Sequence, residues 1–452
     1  MQNESQIIKT FDLEKRVPRY TSYPPANHFN TAVTADSFAK WLTAIPPDGR
    51  LSLYIHIPFC RNLCWFCACR TQGIKRRLDA LYHYIDGVKA EIDLVVAQLG
   101  KSVLVEHLHL GGGTPTLLPP DLMTELLSHL KRQFRFTDNM AFSVEIDPTE
   151  IDADRLNILF DAGLSRASVG VQDFNPIIQQ AIGRPQSFEQ TKSCFDMLRS
   201  GGIDSVNIDL LYGLPHQSAA SFATTIDKVL SLAPDRIAMF GYAHVPWMAQ
   251  RQKLIDAASL PDSATRYRLL AQGRQRFTTS GYVPVGIDHF AKPDDGLVDA
   301  LNNQTLHRNF QGYTDDRSCY LVGLGASAIS CLPQGYAQNA SGTQAYLERV
   351  QGGKLATSRG YSLTAVDRLH GQIIDQLMCQ FEIRPALLRA AYGRIADTLC
   401  DLIAADPARY GLMPTADGTA YRIAEMPHVT ARLVAHHFDQ FATPEKSHSL
   451  AV

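Results

Sequence analysis

Between residues 51 and 281 the chain repeats one unit six times: an apolar run of strand length, then a stretch with a single apolar helical face. LSLYIHI (51–57) leads into a helix over about 78–99, where Leu81, Ile85, Val88, Ile92, Val95 and Leu99 recur at helical spacing. VEHLHL (105–110) is followed by GGGTPT and a helix over about 120–134, and FSVEID (142–147) by a helix ending at Gly163. RASVGVQ (166–172) precedes helices that close at Gly201-Gly202, and VNIDLLYG (206–213) a helix over about 218–230. RIAMFGY (236–242) precedes a helix ending at Ser280-Gly281. Glycine just past a helix end accepts the left-handed cap. Successive βα units join by right-handed crossovers into a parallel sheet. Six units rather than eight predict an α/β fold on an incomplete (β/α)6 barrel, open at one side to a bulky ligand.

In such sheets chemistry gathers at the C-terminal ends of the strands. The first strand runs into YIHIPFCRNLCWFCAC, which sets Cys60, Cys64 and Cys67 in a C-x3-C-x2-C array. Free cysteines usually pack singly as small hydrophobes, neighbours this close rarely pair as native disulfides, and a structural zinc site calls for four ligands. Three thiolates can instead hold an iron–sulfur cubane and leave one iron open to a small molecule. S-adenosylmethionine can fill that position through its amino and carboxylate groups, and one electron then splits its sulfonium to a 5′-deoxyadenosyl radical. GGGTP (111–115) reads as a tight turn or as backbone placed close to a ligand, and its position beside the cysteine loop favours the second. Glu145 and Asp209 lie in apolar strands, where a carboxylate is costly unless paired or bound. Each is a salt-bridge partner or an acceptor for ribose hydroxyls. Arg184 sits in a loop, GRPQ, where solvation is the default reading. Cys69 is open between a fourth ligand, a catalytic proton or hydrogen donor and a packing residue, and C-x-C spacing strains the first of these. Cys194, Cys319, Cys331, Cys379 and Cys400 read as structural residues in apolar contexts.

The flanks are plainer. Residues 1–50 show weak periodicity and contain PRYTSYPP, read as an irregular surface arm in preference to a strap over the site. Residues 51–290 form the barrel and 291–360 an extension completing the same domain. Residues 361–452 form a helical, winged-helix-like domain with a hairpin at 415–423 and a last helix near 428–441. A net charge of -2 without a concentrated basic face excludes nucleic acid or an anionic membrane as the main partner. No apolar run is long enough to span a membrane, and MQNESQIIKTF lacks the basic start and apolar centre of a signal peptide. Nine cysteines, four of them within ten residues, do not make a disulfide framework, so a reducing, cytoplasmic setting is expected.

CRNLCWFCAC, taken with HLGGGTPT, VEIDP, VGVQDF, NIDLLYGLP, DHFAKPDD, HRNFQGYT and YAQN, resembles the oxygen-independent coproporphyrinogen III oxidases, radical S-adenosylmethionine enzymes of haem biosynthesis. The resemblance runs from PRYTSYP to at least Asn339, and the last hundred residues share layout more than motif. It implies that Cys60, Cys64 and Cys67 hold a [4Fe–4S] cluster, and that Tyr54, Gly112, Glu145 and Ile329 hold the S-adenosylmethionine bound to it. It also implies a second S-adenosylmethionine on Phe66, Gly113, Thr114, Gln172, Arg184, Asp209 and Ala243, with the planar fork of Arg184 meeting a carboxylate. Cys69 matches a cysteine that separates the oxidases from haem-carrying relatives and does not ligate. Gly241 departs from the pattern, which leads one to expect a polar residue there.

The reaction implied turns two propionates of coproporphyrinogen III into vinyl groups, giving protoporphyrinogen IX, in a monomer fed by an unidentified electron donor. Arg19 and Arg308, in motifs with no evident packing role, are candidates to meet substrate carboxylates. Competing readings are a haem chaperone on the same fold, a radical methyltransferase that opens haem, and a zinc-binding regulator with a winged-helix tail.

Overall fold

A computed structural model describes residues 7, 9–74, 78–100, 102–442 and 449–451. The six expected units are all present: β1 (Arg50–Ile57), α1 (Asp79–Val96), β2 (Leu104–Gly112), α2 (Pro120–Gln133), β3 (Arg135–Ile146), α3 (Ala153–Asp161), β4 (Leu164–Gln172), α4 (Phe188–Ser200), β5 (Ser205–Tyr212), α5 (Ala219–Ser231), β6 (Arg236–Gly241) and α6 (Ser263–Thr279). The strands pair in parallel and in chain order. Leu51, Leu53, Ile55 and Ile57 of β1 are almost wholly buried, as a strand covered by crossover helices requires. The helices start on side chains that the sequence supplies: Asp152, Ser187, Ser218 and Asp262 each cap the free amides of a first turn.

The region from 283 to 362, which spans the end of the expected barrel and the expected extension, adds more than the sequence pattern indicates. It supplies strands to both edges of the barrel sheet. β7 (Val283–Val285) and β8 (His289–Ala291) add antiparallel beyond β6. β9 (Tyr320–Leu324) lies parallel to β1 on its other side, and β10 (Ile329–Leu332), β11 (Gly335–Asn339) and β12 (Thr357–Ser362) continue antiparallel from it. The result is one twelve-stranded sheet in which β1 is interior. Strands of three to six residues separated by turns carry little periodicity, so the sequence pattern could not place them.

The reading of the arm as irregular surface is also corrected. Ala35–Thr43 is a helix begun by a capping box between Thr34 and Ser37. Upstream of it Tyr20 and Tyr23 are buried in the second apolar cluster, together with residues of α7 (Ala365–Cys379) and α8 (Pro427–His436). The Tyr20 hydroxyl donates to Asp439 at 3.1 Å, and the Tyr23 hydroxyl accepts from the Gln440 amide at 2.9 Å. The hairpin expected at 415–423 pairs Leu412–Pro414 with Tyr421–Ile423, and Glu382–Ile383 adds a third strand. Of the scattered cysteines, Cys194, Cys379 and Cys400 are buried, whereas Cys319 is exposed and serves no core.

Glu91 fixes the added strands to the barrel. Fully buried on α1, it accepts from the Gly325 amide, the Asn339 side chain and the Tyr346 hydroxyl, each at 2.7 Å. Glu91→Leu leaves three buried donors unpaired and lowers stability by about 3 kcal/mol or more, read from denaturant midpoints. Burial raises the Glu91 carboxyl to about 7 from an ordinary 4.5. The unfolded chain therefore ionises first, and wild type loses stability relative to Glu91→Gln as pH rises from 4.5 to about 7. Parallel pH dependences in the two proteins would contradict that assignment.

Candidate active site

The cysteine loop leaves β1 through Pro58 and is closed on itself by a short parallel clip between Phe59–Cys60 and Gln72–Gly73. The Gln72 amide donates to Pro58 O at 2.7 Å and the Ile74 amide to Cys60 O at 3.0 Å. A second backbone pair ties the loop to the end of β2: Gly113 N–H to Ile57 O and Thr114 N–H to Phe59 O, both at 2.8 Å. Glycine is required for this contact. A Cβ on Gly113 would lie 2.5 Å from Phe59 O, and one on Gly112, whose φ is +111°, would lie 2.4 Å from the His56 ring. The third support is Trp65, whose amide donates to Ile182 O at 2.8 Å.

Within this frame Cys60, Cys64 and Cys67 lie near enough to act on one another electrostatically. Burial pushes the Cys60 thiol up to about 11 against hydrogen bonds from Thr114 and Thr71. Cys64 is also raised by burial, with Arg184 opposing through a bond to its sulfur at 3.4 Å. Cys67 is brought down to about 6, chiefly by the hydrogen bond from the Cys69 side chain. The Cys69 amide also donates to the Cys67 sulfur, at 3.4 Å. Three neighbouring thiols with amide, hydroxyl and guanidinium donors turned to their sulfurs fit a cluster.

The inner faces of the strands carry a polar layer. Strand register sets Tyr54 beside His109 and His109 beside Ser143. The Tyr54 and His109 rings stack at 5.6 Å, and the Tyr54 hydroxyl pairs with His56 Nδ1 at 2.9 Å. Glu145 bonds His109 Nε2 at 3.3 Å and accepts the Gly112 amide at 2.9 Å. Burial opposes its charge, but these bonds prevail and hold the carboxyl below its ordinary value. Asp209 accepts from Asn207 at 2.8 Å and Ser168 at 3.2 Å. Burial first, then the charge of Glu145, push it up to about 6. Among the described residues Asp209 meets no arginine, lysine or histidine, whereas Glu145 is paired with His109. Their environments drive the two carboxyls apart, as in sites that divide labour between acids.

Arg184 is not a solvated loop residue. Its side chain is 13% exposed and pairs with Asp147 at 3.0 Å, while Nη2 donates to Gly170 O at 2.9 Å and the buried Nε has no partner. Gln172 ends β4 in the left-handed region, φ +69°, a strain that clusters at functional sites. Phe66, like Trp65, packs against the cluster of Ile178, Ile182 and Tyr242. Buried Gln252 donates to Phe66 O at 2.7 Å and to Ala243 O at 3.1 Å, joining two expected site residues. Arg251 holds Thr71 and the Cys69 carbonyl, the latter at 3.3 Å. Ile329 stands at the start of β10, its carbonyl against Gly323, apart from these contacts. Sequence reasoning missed His56, Asp147, Arg251 and Gln252. Asp147 alone carried a signal, ending the strand motif VEIDP. Arg19 and Arg308 lie elsewhere, in a cavity reached from the ends of β5 and β6.

Residues 54–229 match the Radical SAM superfamily. Over 452 residues, 100% of both chains, the sequence is 47% identical to the oxygen-independent coproporphyrinogen III oxidase of Paracoccus denitrificans. It is 40% identical to that of Salmonella typhimurium over 366 residues, 81% of this chain and 79% of the other. The solved structure of the Escherichia coli coproporphyrinogen III oxidase, described as a radical SAM enzyme, superimposes with a TM-score of 0.87 at 35% identity, covering 94% of this chain and 98% of that one. The chain belongs to the oxygen-independent coproporphyrinogen III oxidases, within the radical SAM superfamily.

Proposed function

We propose that this oxidoreductase decarboxylates two propionates of coproporphyrinogen III to vinyl groups without oxygen, giving protoporphyrinogen IX. The observation that carries the reading is the Cys60–Cys64–Cys67 loop, held backbone to backbone against Gly113 and Thr114 at the rim where Glu145 nears the end of β3, with Asp209 three residues inside the end of β5. When bound there, a reduced [4Fe–4S] cluster supplies the electron that splits S-adenosylmethionine into methionine and a 5′-deoxyadenosyl radical, which takes a hydrogen atom from a propionate β-carbon. The propionate then loses carbon dioxide and one electron to leave a vinyl group, and the electron needs an acceptor the chain does not itself provide.

The residues divide the remaining work. Cys60, Cys64 and Cys67 hold the cluster, with Thr114, Arg184 and the Cys69 amide as donors to their sulfurs. Tyr54, Gly112, Glu145 and Ile329 hold the S-adenosylmethionine at the open iron, and Glu145, kept anionic, accepts its hydroxyl or ammonium protons. Phe66, Gly113, Thr114, Gln172, Arg184, Asp209 and Ala243 hold a second molecule. The Gln252 bridge between Phe66 and Ala243 supports a common site for these residues, and the unpartnered Arg184 Nε is a donor available to a ligand carboxylate. Cys69, exposed beside Cys67, is the catalytic hydrogen or proton donor. No helix of the described residues is long and apolar enough to cross a membrane. We place the enzyme in the cytoplasm as a monomer reduced by a separate donor.

Two sets of variants test this. Cys60→Ser abolishes the visible absorbance of the anaerobically reconstituted cluster, whereas Cys69→Ser keeps that absorbance and loses at least ~100-fold in turnover of coproporphyrinogen III, as expected for a lost acid or hydrogen donor. Loss of the absorbance in both would make Cys69 a ligand. Because Asp209 protonates at about 6, KM for S-adenosylmethionine rises as pH falls through that value. Asp209→Asn has the high KM throughout and lacks the inflection; an inflection that survives in the variant would remove Asp209 from the site.

A further inference from the structure

Where the barrel, the arm and α8 meet, a cavity is lined by Arg19, Arg308 and Arg432, with Tyr212 and Gly241 from the ends of β5 and β6. Asp288 is the one carboxylate among the described lining residues. Arg308 lays both terminal nitrogens on it at 3.3 and 3.4 Å, stacks 4.6 Å from the Tyr313 ring, and is 3% exposed in its side chain. Its buried Nε has no partner. Arg19 donates to Gly241 O at 2.6 Å and forms no ion pair among the described residues. Arg432 donates to the carbonyls of Val17, Pro18, Leu450 and Ala451 and to Ser449 Oγ, all neutral acceptors. Arg266 also faces the cavity, its Nη2 bonded to Tyr242 O at 3.0 Å, and has further partners, so the uncompensated charge is that of Arg19, Arg308 and Arg432.

We infer that this cavity is a receptor for two carboxylates of one ligand: the propionates of the macrocycle that are not at the reacting edge. The inference rests on the coproporphyrinogen reading above. Three guanidiniums and one aspartate leave two positive charges in a buried space, a costly arrangement unless a ligand supplies the missing anions. Two propionates match that excess, and the planar forks suit carboxylates. Burial, then the charge of Arg19, depress Arg432 to about 9, in keeping with uncompensated like charge. Gly241, the departure from the family pattern, has a use here. A Cβ at that position would come within 2.9 Å of the Tyr212 hydroxyl and 3.4 Å of Arg266, so glycine keeps the space clear and leaves its carbonyl to orient Arg19. The cavity also adjoins the rim. Asp209 lies three residues before Tyr212 and feels the charge of His289, which is bonded to Asp288 at 2.7 Å. A ligand anchored on Arg19 and Arg308 therefore extends toward the strand ends that carry the cysteine-loop chemistry.

The test is porphyrin binding by the anaerobic holoenzyme, followed by fluorescence quenching. Coproporphyrin III, protoporphyrin IX and protoporphyrin IX dimethyl ester present four, two and no free carboxylates. The first two bind wild type and the diester at least ten-fold more weakly. Arg19→Gln and Arg308→Gln each weaken the two acids at least ten-fold and leave the diester unchanged, and Arg308→Lys recovers part of the loss. Equal binding of acids and diester, or unchanged acid binding in Gln variants that fold as wild type, overturns the receptor. Failure of wild type to bind coproporphyrin III overturns the substrate reading instead. If Arg308→Gln does not fold, Arg19→Gln decides, because Arg19 is held through the single Gly241 carbonyl among the described residues.

Discussion

The rim depends on how closely the backbone of Gly112–Thr114 lies against that of Ile57–Cys60. Two amide-to-carbonyl bonds of 2.8 Å join the ends of β1 and β2 just where the thiol loop begins, leaving no room for a Cβ at either glycine. That contact fixes the direction in which the loop leaves the sheet. The Phe59–Cys60 clip onto Gln72–Gly73 then returns the chain, so Cys64 and Cys67 fall between two anchored ends. A loop of this length would otherwise be among the mobile parts of an α/β protein. Under the proposed function, this pre-organisation lowers the ordering cost of gathering three sulfurs around a cluster.

Charge is distributed to match. At the cysteine loop Arg184 sits between the Asp147 carboxylate and the Cys64 sulfur, and Arg251 holds the carbonyl of Cys69. The loop is thus ringed by donors and cations that favour thiolates. Deeper in the barrel the carboxyls of Glu145 and Asp209 are held apart in acidity by their different partners. Farther along the same rim the balance reverses to an excess of guanidinium in the cavity of Arg19 and Arg308. One sheet therefore presents a thiol loop, a pair of carboxyls of unlike acidity and a guanidinium-rich cavity at neighbouring strands.

The barrel was readable because its strands are buried on both faces and its helices are amphipathic, so both periodicities are strong. The strands β7 to β12 escaped because each is short and gains its stability from the edge it extends. The arm was misread for a related reason: Tyr20 and Tyr23 look like surface residues until the C-terminal helices that bury them are in place. At the site, the cysteines, glycines and strand-end acids announced themselves through spacing and through the cost of burial. Gln252 and Asp288 did not, since Gln252 acts through main-chain carbonyls and Asp288 through Arg308, 20 residues away in sequence. Gly241, a departure at the level of motif, is accounted for by the space it opens beside Arg19.

The central claim is that one site, built on the three-thiol loop, drives two successive decarboxylations without oxygen. Its most direct measure is stoichiometry. Reconstituted protein, reductant, an electron acceptor, S-adenosylmethionine and coproporphyrinogen III are incubated anaerobically, and carbon dioxide, 5′-deoxyadenosine and protoporphyrinogen IX are quantified together. The expected result is two molecules of carbon dioxide for each protoporphyrinogen IX, none of either in Cys60→Ser, and 5′-deoxyadenosine formed at no less than the carbon dioxide. Well-reconstituted protein that cleaves S-adenosylmethionine but releases no carbon dioxide from the porphyrinogen would contradict it.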